Sequence, residues 1–99
     1  MLVDAKAWTD LDQIGAWIAK DNRRAARDVL RRILDTIAQL ERFPRLARAG
    51  KVEGTRERLV AGTPYIIVFE LWDEPPTIVI TAVAHGSQNL IRQNPNASR

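Results

Sequence analysis

Cysteine is absent from the 99 residues, which excludes a disulfide framework, a thiol nucleophile and a cysteine-based zinc site and suits a reducing compartment. One histidine, His85, cannot build a His-rich metal site, and the carboxylates show no paired or clustered ligand spacing, so no metal and no cofactor is expected. The seven residues before Gly62 contain no glycine, so no phosphate-cradling loop precedes it, and no Gly-x-Ser-x-Gly elbow offers a serine nucleophile. No apolar run approaches the ~18 residues of a membrane span. The N-terminal stretch MLVDAKAWTDLD carries acids by its fourth residue and has no basic segment followed by an apolar one. It does not read as a signal peptide, and the expectation is a soluble, unexported, cytoplasmic protein without membrane contact.

What is present is an ordinary globular balance, 45% apolar and 27% charged, which argues against disorder. A chain of this length makes one domain and buries only about 60 to 65% of its unfolded surface. The expected layout is a single domain over 1–91 followed by a polar tail over 92–99. Net charge is a modest +3, yet between Arg23 and Arg58 eleven Lys and Arg stand against five acids. That excess suits an acidic partner or nucleic acid, and equally a solvated helix face. Twelve of the basic residues are Arg, whose planar fork pairs with carboxylate or phosphate better than Lys does.

Ala7, Leu11, Ile14 and Ile18 recur at helical spacing, with Trp8 and Trp17 nearby, and predict a helix over 5–20 with Asp4 as its N-cap. Asp21 and Asn22 break it, and either can cap the next helix. That second helix, 23–43, places Ala26, Leu30 or Val29, Ile33, Ile37 and Leu40 on one stripe and Arg24, Arg27 and Arg31 on another. Asp28 and Asp35 are spaced to pair with Arg24, Arg31 and Arg32. Pro44 ends the helix. Two amphipathic helices joined by so short a turn form an antiparallel hairpin.

The cover for their apolar stripes is the second half of the chain. In PYIIVFELW, Tyr65, Ile67, Phe69 and Leu71 alternate with Ile66, Val68 and Trp72, so both faces are apolar, as in a central strand. DEPP at 73–76 is a turn, TIVITAVAH at 77–85 a second strand, and KVEGTRERLV a more exposed third. The simplest arrangement is α+β, the helical hairpin packed on an antiparallel sheet of three to four strands.

Metal-free RNA cleavage needs a general base, a general acid and a cation to stabilise the phosphorane, and Glu57, His85 and Arg56 or Arg58 are the right types. Alternation in a regular strand separates them, however. Arg56 and Arg58 share one face and Glu57 the other, so convergence requires a bulge or twist. The structural alternative is a sheet-surface ion pair between Arg56 and Glu57, with His85 bonded to backbone.

The ordered set Ala7-x-x-Asp10-Leu11-x-x-Ile14, the basic helix ending Leu40-x-x-Phe43-Pro44, Gly54-Thr-Arg-Glu57, Pro64-Tyr-Ile-Ile-Val-Phe69 and His85-Gly86 resembles the RelE/ParE toxin superfamily, and most of all its ParE-type branch. The resemblance spans Lys6 to Gln88. It implies a helical hairpin on a small antiparallel sheet and the toxin role in a type II toxin-antitoxin pair. ParE-type members inhibit DNA gyrase, whereas RelE-type members cut messenger RNA on the ribosome. By this resemblance the expected partners are a cognate antitoxin of the ParD kind with an acidic C-terminal segment, DNA gyrase as target, and operator DNA only through the antitoxin. A role in plasmid stabilisation fits the same picture.

Residue by residue the resemblance leans to the gyrase-binding branch. An arginine that one messenger-cleaving branch carries in its next strand falls near Ile66 here, and the strand from Tyr65 to Trp72 holds no basic residue. The expected binding set is Arg24, Arg27, Arg31, Arg56, Arg58, Tyr65 and His85. The alternative readings are a ribosome-dependent endoribonuclease using Glu57, Arg56 and His85, and an inactive module that binds only its antitoxin. Family members open with a full strand; with only Met1 to Val3 ahead of Asp4, that strand is expected to be short or missing, leaving one sheet edge weak.

Overall fold

The computed structural model describes residues 1–86; the polar tail expected over 92–99 lies outside them. Strand β1 (Leu2–Val3) leads into helix α1 (Ala5–Ala19), a turn, helix α2 (Arg23–Arg42) and a single 3-10 turn at Pro44–Leu46. Then come β2 (Arg48–Ala49), β3 (Thr55–Leu59), β4 (Tyr65–Asp73) and β5 (Pro76–His85). The strands lie in the order β1-β5-β4-β3-β2, with every pairing antiparallel except that of β1 with β5.

The α+β architecture is the one expected, with a difference in strand count. Five strands replace the expected three to four, because two edge strands of two residues each flank the predicted three. Periodicity cannot register so short a strand. The first strand is indeed short, and it runs parallel to β5, a pairing that a tight turn could not make but the long intervening chain permits. The third predicted strand begins only at Thr55, since the chain before it turns at Gly54, whose φ of 85° is left-handed.

The helix stripe predicted from spacing is the buried one. Ala7, Leu11 and Ile14 of α1 and Ala26, Ile33, Ile37 and Leu40 of α2 face inward, with Ile18, Val29 and Leu30 half-buried. Trp8 and Trp17 remain largely exposed. Against this layer the sheet presents Tyr65, Ile67 and Phe69 of β4 and Ile78, Ile80 and Val83 of β5. Phe69, Ile33, Ile67 and Ile80 are completely enclosed, each contributing about 1.5 to 3 kcal/mol by transfer from water.

Strict alternation along β5 would send Val83 to the opposite side from Ile80. Both face the core because Phe69 pairs with Ile80 while the adjacent Val68 pairs with Ala82, leaving Thr81 as the extra residue of a β-bulge. Its hydroxyl donates to the Val68 carbonyl at 3.2 Å and pins the irregularity.

Two capping and charge details differ from expectation. Asp4 occupies the N-cap position, but its side chain makes no cap bond; its amide donates to the Ile80 carbonyl, so the backbone serves the β1–β5 seam. Asn22 caps α2 conventionally, accepting from the Ala25 amide at 3.0 Å. The ion pairs expected of Asp28 and Asp35 along α2 do not form; among the described residues the pairs are Met1 amine with Glu41, Lys6 with Asp10, and Arg48 with Glu57. Fully solvated partners gain too little to hold two long side chains in one geometry.

Candidate functional site

Residues facing each other across paired strands share a side of the sheet, and this places the predicted site residues in three separate regions. Arg56 and Arg58 sit opposite Phe69 and Ile67, on the side that carries the helices. They are half-buried at its margin rather than displayed on an exposed face, and Arg58 donates to the Leu46 carbonyl at 3.1 Å. Arg58 thereby ties the 3-10 turn to β3. Arg56 lines a polar depression with Ala49, Thr55 and Asp73.

Glu57 lies opposite Val68, on the side away from the helices, and is 4% exposed. Its two carboxylate oxygens take the Lys51 amide at 3.1 Å and the Arg48 guanidinium at 3.4 Å. The ion pair of Glu57 is therefore with Arg48 and not with Arg56, because Arg48 stands directly across from it in β2. A buried carboxylate satisfied by a backbone amide and a cation closes the 50–54 turn, a structural task.

His85 stands opposite Tyr65, on the helix side and at the far end of the β4–β5 pairing from the Asp73–Pro76 turn. Glu57 and His85 thus lie on opposite sides of the sheet. The bulge that could have brought them together lies between β4 and β5, while β3 runs in unbroken register with β4. The catalytic set of Glu57, Arg56 and His85 does not converge.

Arg24, Arg27 and Arg31 form the exposed row expected on α2, with Arg23 beside them. Arg32, one step round the helix, instead donates to the Ala61 carbonyl at 3.4 Å and fastens α2 to the β3–β4 turn.

A groove of about 520 Å³ lies between α1 and the ends of β4 and β5. Asp10, Gln13, Ile14 and Trp17 line it from the helix, one face at spacings of three and four residues. Tyr65, Val83 and His85 line it from the sheet, the Tyr65 and His85 rings meeting edge to face with centroids 5.5 Å apart. Of the predicted binding residues, Tyr65 and His85 come together here, apart from the α2 and β3 arginines.

A model of the ParE toxin of the type II toxin-antitoxin system parDE matches residues 2–90. The chain belongs to the ParE toxin family. It is 36% identical over 83 residues to a curated protein of Sinorhizobium fredii (strain NBRC 101917 / NGR234) named "Putative toxin Y4kP", a match covering 84% of this chain and 83% of that protein. Its fold resembles that of a chain in the solved chromosomal ParDE TA system from P. aeruginosa, with a TM-score of 0.73 at 20% identity, over 86% of this chain and 95% of that one.

Within this ParE-family chain, five contributors to the groove, Asp10, Gln13, Ile14, Trp17 and Val83, are not singled out as binding residues by the sequence. Asp10 figures there only as part of a family motif, yet its carboxylate accepts the Val83 amide at 3.0 Å while holding Lys6 at 3.0 Å. Only the pairing of α1 against β5 reveals that link, across 73 positions of chain. Gln13 and Trp17 share its helix face, and the 3-4 spacing from Asp10 is the available signal. Among the described residues no cluster of three metal-ligating side chains occurs, and no helix is long and apolar enough to cross a membrane.

Proposed function

We propose that this ParE-family chain acts in the cytoplasm by binding DNA gyrase rather than by breaking a bond. In this reading an antitoxin of the ParD kind, with an acidic C-terminal segment, holds it silent, and it reaches operator DNA only through that antitoxin. The observation carrying this reading is the placement of Glu57. The carboxylate that would serve as general base is committed to Lys51 and Arg48 and lies on the opposite side of the sheet from His85. General acid-base cleavage needs both groups within hydrogen-bond reach of one substrate. The arginines of α2 and β3 are then binding groups, with Arg24, Arg27, Arg31, Arg56 and Arg58 offering forks to carboxylate or phosphate.

Two measurements test it together. Purified chain added to purified gyrase should inhibit DNA supercoiling, and induction in cells should leave messenger ends unchanged. Ribosome-associated cleavage of transcripts without any effect on supercoiling would refute the binding mechanism. Co-expression of the adjoining open reading frame should restore growth.

A further inference from the structure

We infer that the groove between α1 and the end of β5 receives a large apolar side chain from an acidic partner segment, with Trp17 as its principal contact. The inference rests on reading the chain as a toxin held by an antitoxin, and it assigns that contact to this groove rather than to the arginine row of α2.

The groove has the make-up of an anchor site. Ile14 and Val83 form a nearly buried apolar floor, 9% and 4% exposed, and the Tyr65–His85 pair makes an aromatic wall. Trp17 forms the lip and is 69% exposed, a large apolar surface left to water at the mouth of a cavity. A volume of about 520 Å³ lies in the range of pockets that enclose a ligand group. Among the described residues β1 pairs with the edge of β5 at Val79 and Ile80 alone, and beyond that point Asp10 of α1 takes the Val83 amide.

Charge selects the kind of partner. The Lys20 ammonium lies 5.2 Å from the Trp17 ring centroid, and Arg23, three residues later, opens α2 and is exposed. Asp10 is already compensated by Lys6 and the Val83 amide, leaving Asp21 as the acid of the intervening turn. The groove therefore opens beside a net positive rim. An acidic segment gains there both in steering and in discrimination against basic competitors, while buried Trp contacts dominate such interfaces.

Calorimetric titration with the purified product of the adjoining open reading frame tests the assignment. Trp17→Ala should weaken binding at least about tenfold, as a buried aromatic anchor does. Gln13→Glu should also weaken it, and by less as salt rises from about 0.05 to about 0.2 M. Trp8→Ala is the control. Trp8 is a similarly exposed tryptophan nine positions away, half a turn round the helix, and its loss should change binding less than about threefold. Unchanged thermal melts must accompany both tryptophan variants. Wild-type binding that Trp17→Ala and Gln13→Glu both retain, or an equal loss in Trp8→Ala, overturns the groove assignment alone. A wild-type dimer that Trp17→Ala dissolves overturns it in favour of a second copy of this chain. Failure of the wild-type chain to bind removes the toxin-antitoxin reading, and the inference with it.

Discussion

Replacing Asp10 should reveal how the last residues of β5 are held. Its side chain is 14% exposed and accepts two kinds of bond, one from the Val83 amide at 3.0 Å and one from the Lys6 ammonium. A bond from a backbone amide to a charged acceptor contributes about 1.5 to 3 kcal/mol, and an amide left without a partner away from water costs a similar amount. The Lys6 pair is an exposed i,i+4 contact worth about 0.3 to 0.5 kcal/mol. Asp10→Ala should thus destabilise by about 2 to 3 kcal/mol and Lys6→Ala by less than about 0.5. Asp10→Asn, which keeps a neutral acceptor, should fall between them. At roughly 4 to 8 °C per kcal/mol for a domain of this size, Asp10→Ala lowers Tm by some 8 to 24 °C. Urea unfolding gives the energies, and amide exchange at Val83 reports the bond directly. Equal losses from Lys6→Ala and Asp10→Ala, or unaltered protection of the Val83 amide in Asp10→Ala, would refute the reasoning by showing that the carboxylate serves the helix surface instead.

Three other substitutions probe the same architecture. Phe69→Ala removes a fully enclosed ring from the centre of the sheet and should cost about 3 to 5 kcal/mol in urea unfolding. Glu57→Gln should lower stability by about 1 to 2 kcal/mol by weakening the bonds to Lys51 and Arg48, while Arg48→Ala costs under about 1 kcal/mol because Arg48 is two-thirds exposed. If Glu57→Gln instead abolishes toxicity with an unchanged melting curve, the carboxylate has a functional role. Gly62→Ala should destabilise by about 1 kcal/mol or more, since Gly62 has a φ of 78° and a Cβ there would press on the Arg32 guanidinium; an unchanged Tm would contradict that.

Much of the fold could be read from local patterns because local patterns determine it. The 3-4 spacing of Ala7, Leu11 and Ile14 and of Ile33, Ile37 and Leu40 marks a helix face, and it is the face that packs. The two-sided apolar run from Tyr65 to Trp72 marks a central strand, and β4 has neighbours on both sides. The features that escaped are those set by distant partners. β2 is too short for any period and exists through pairing with β3, while β1, whose shortness the family resemblance signals, exists through pairing with β5. The side of the sheet taken by Arg56 and Arg58 follows from their register with Ile67 and Phe69, and register is not written in β3 alone. The groove is less legible still, because Asp10 meets Val83 only after α1 folds back on the sheet.

The extra residue in β5 carries a consequence for how this surface can vary. Because Ile80 and Ala82 face adjacent positions of β4, deleting Thr81 would restore an uninterrupted strand and leave Val83 and His85 pointing as they do now. Only the bend would go, since a bulge kinks its strand and sharpens the local twist. Every groove-lining side chain would survive while the angle at which β5 meets α1 changed. Length at this one position is thus a tuning variable separate from residue identity, and the shape of the groove can differ between relatives through a single codon gained or lost, with all lining residues unchanged.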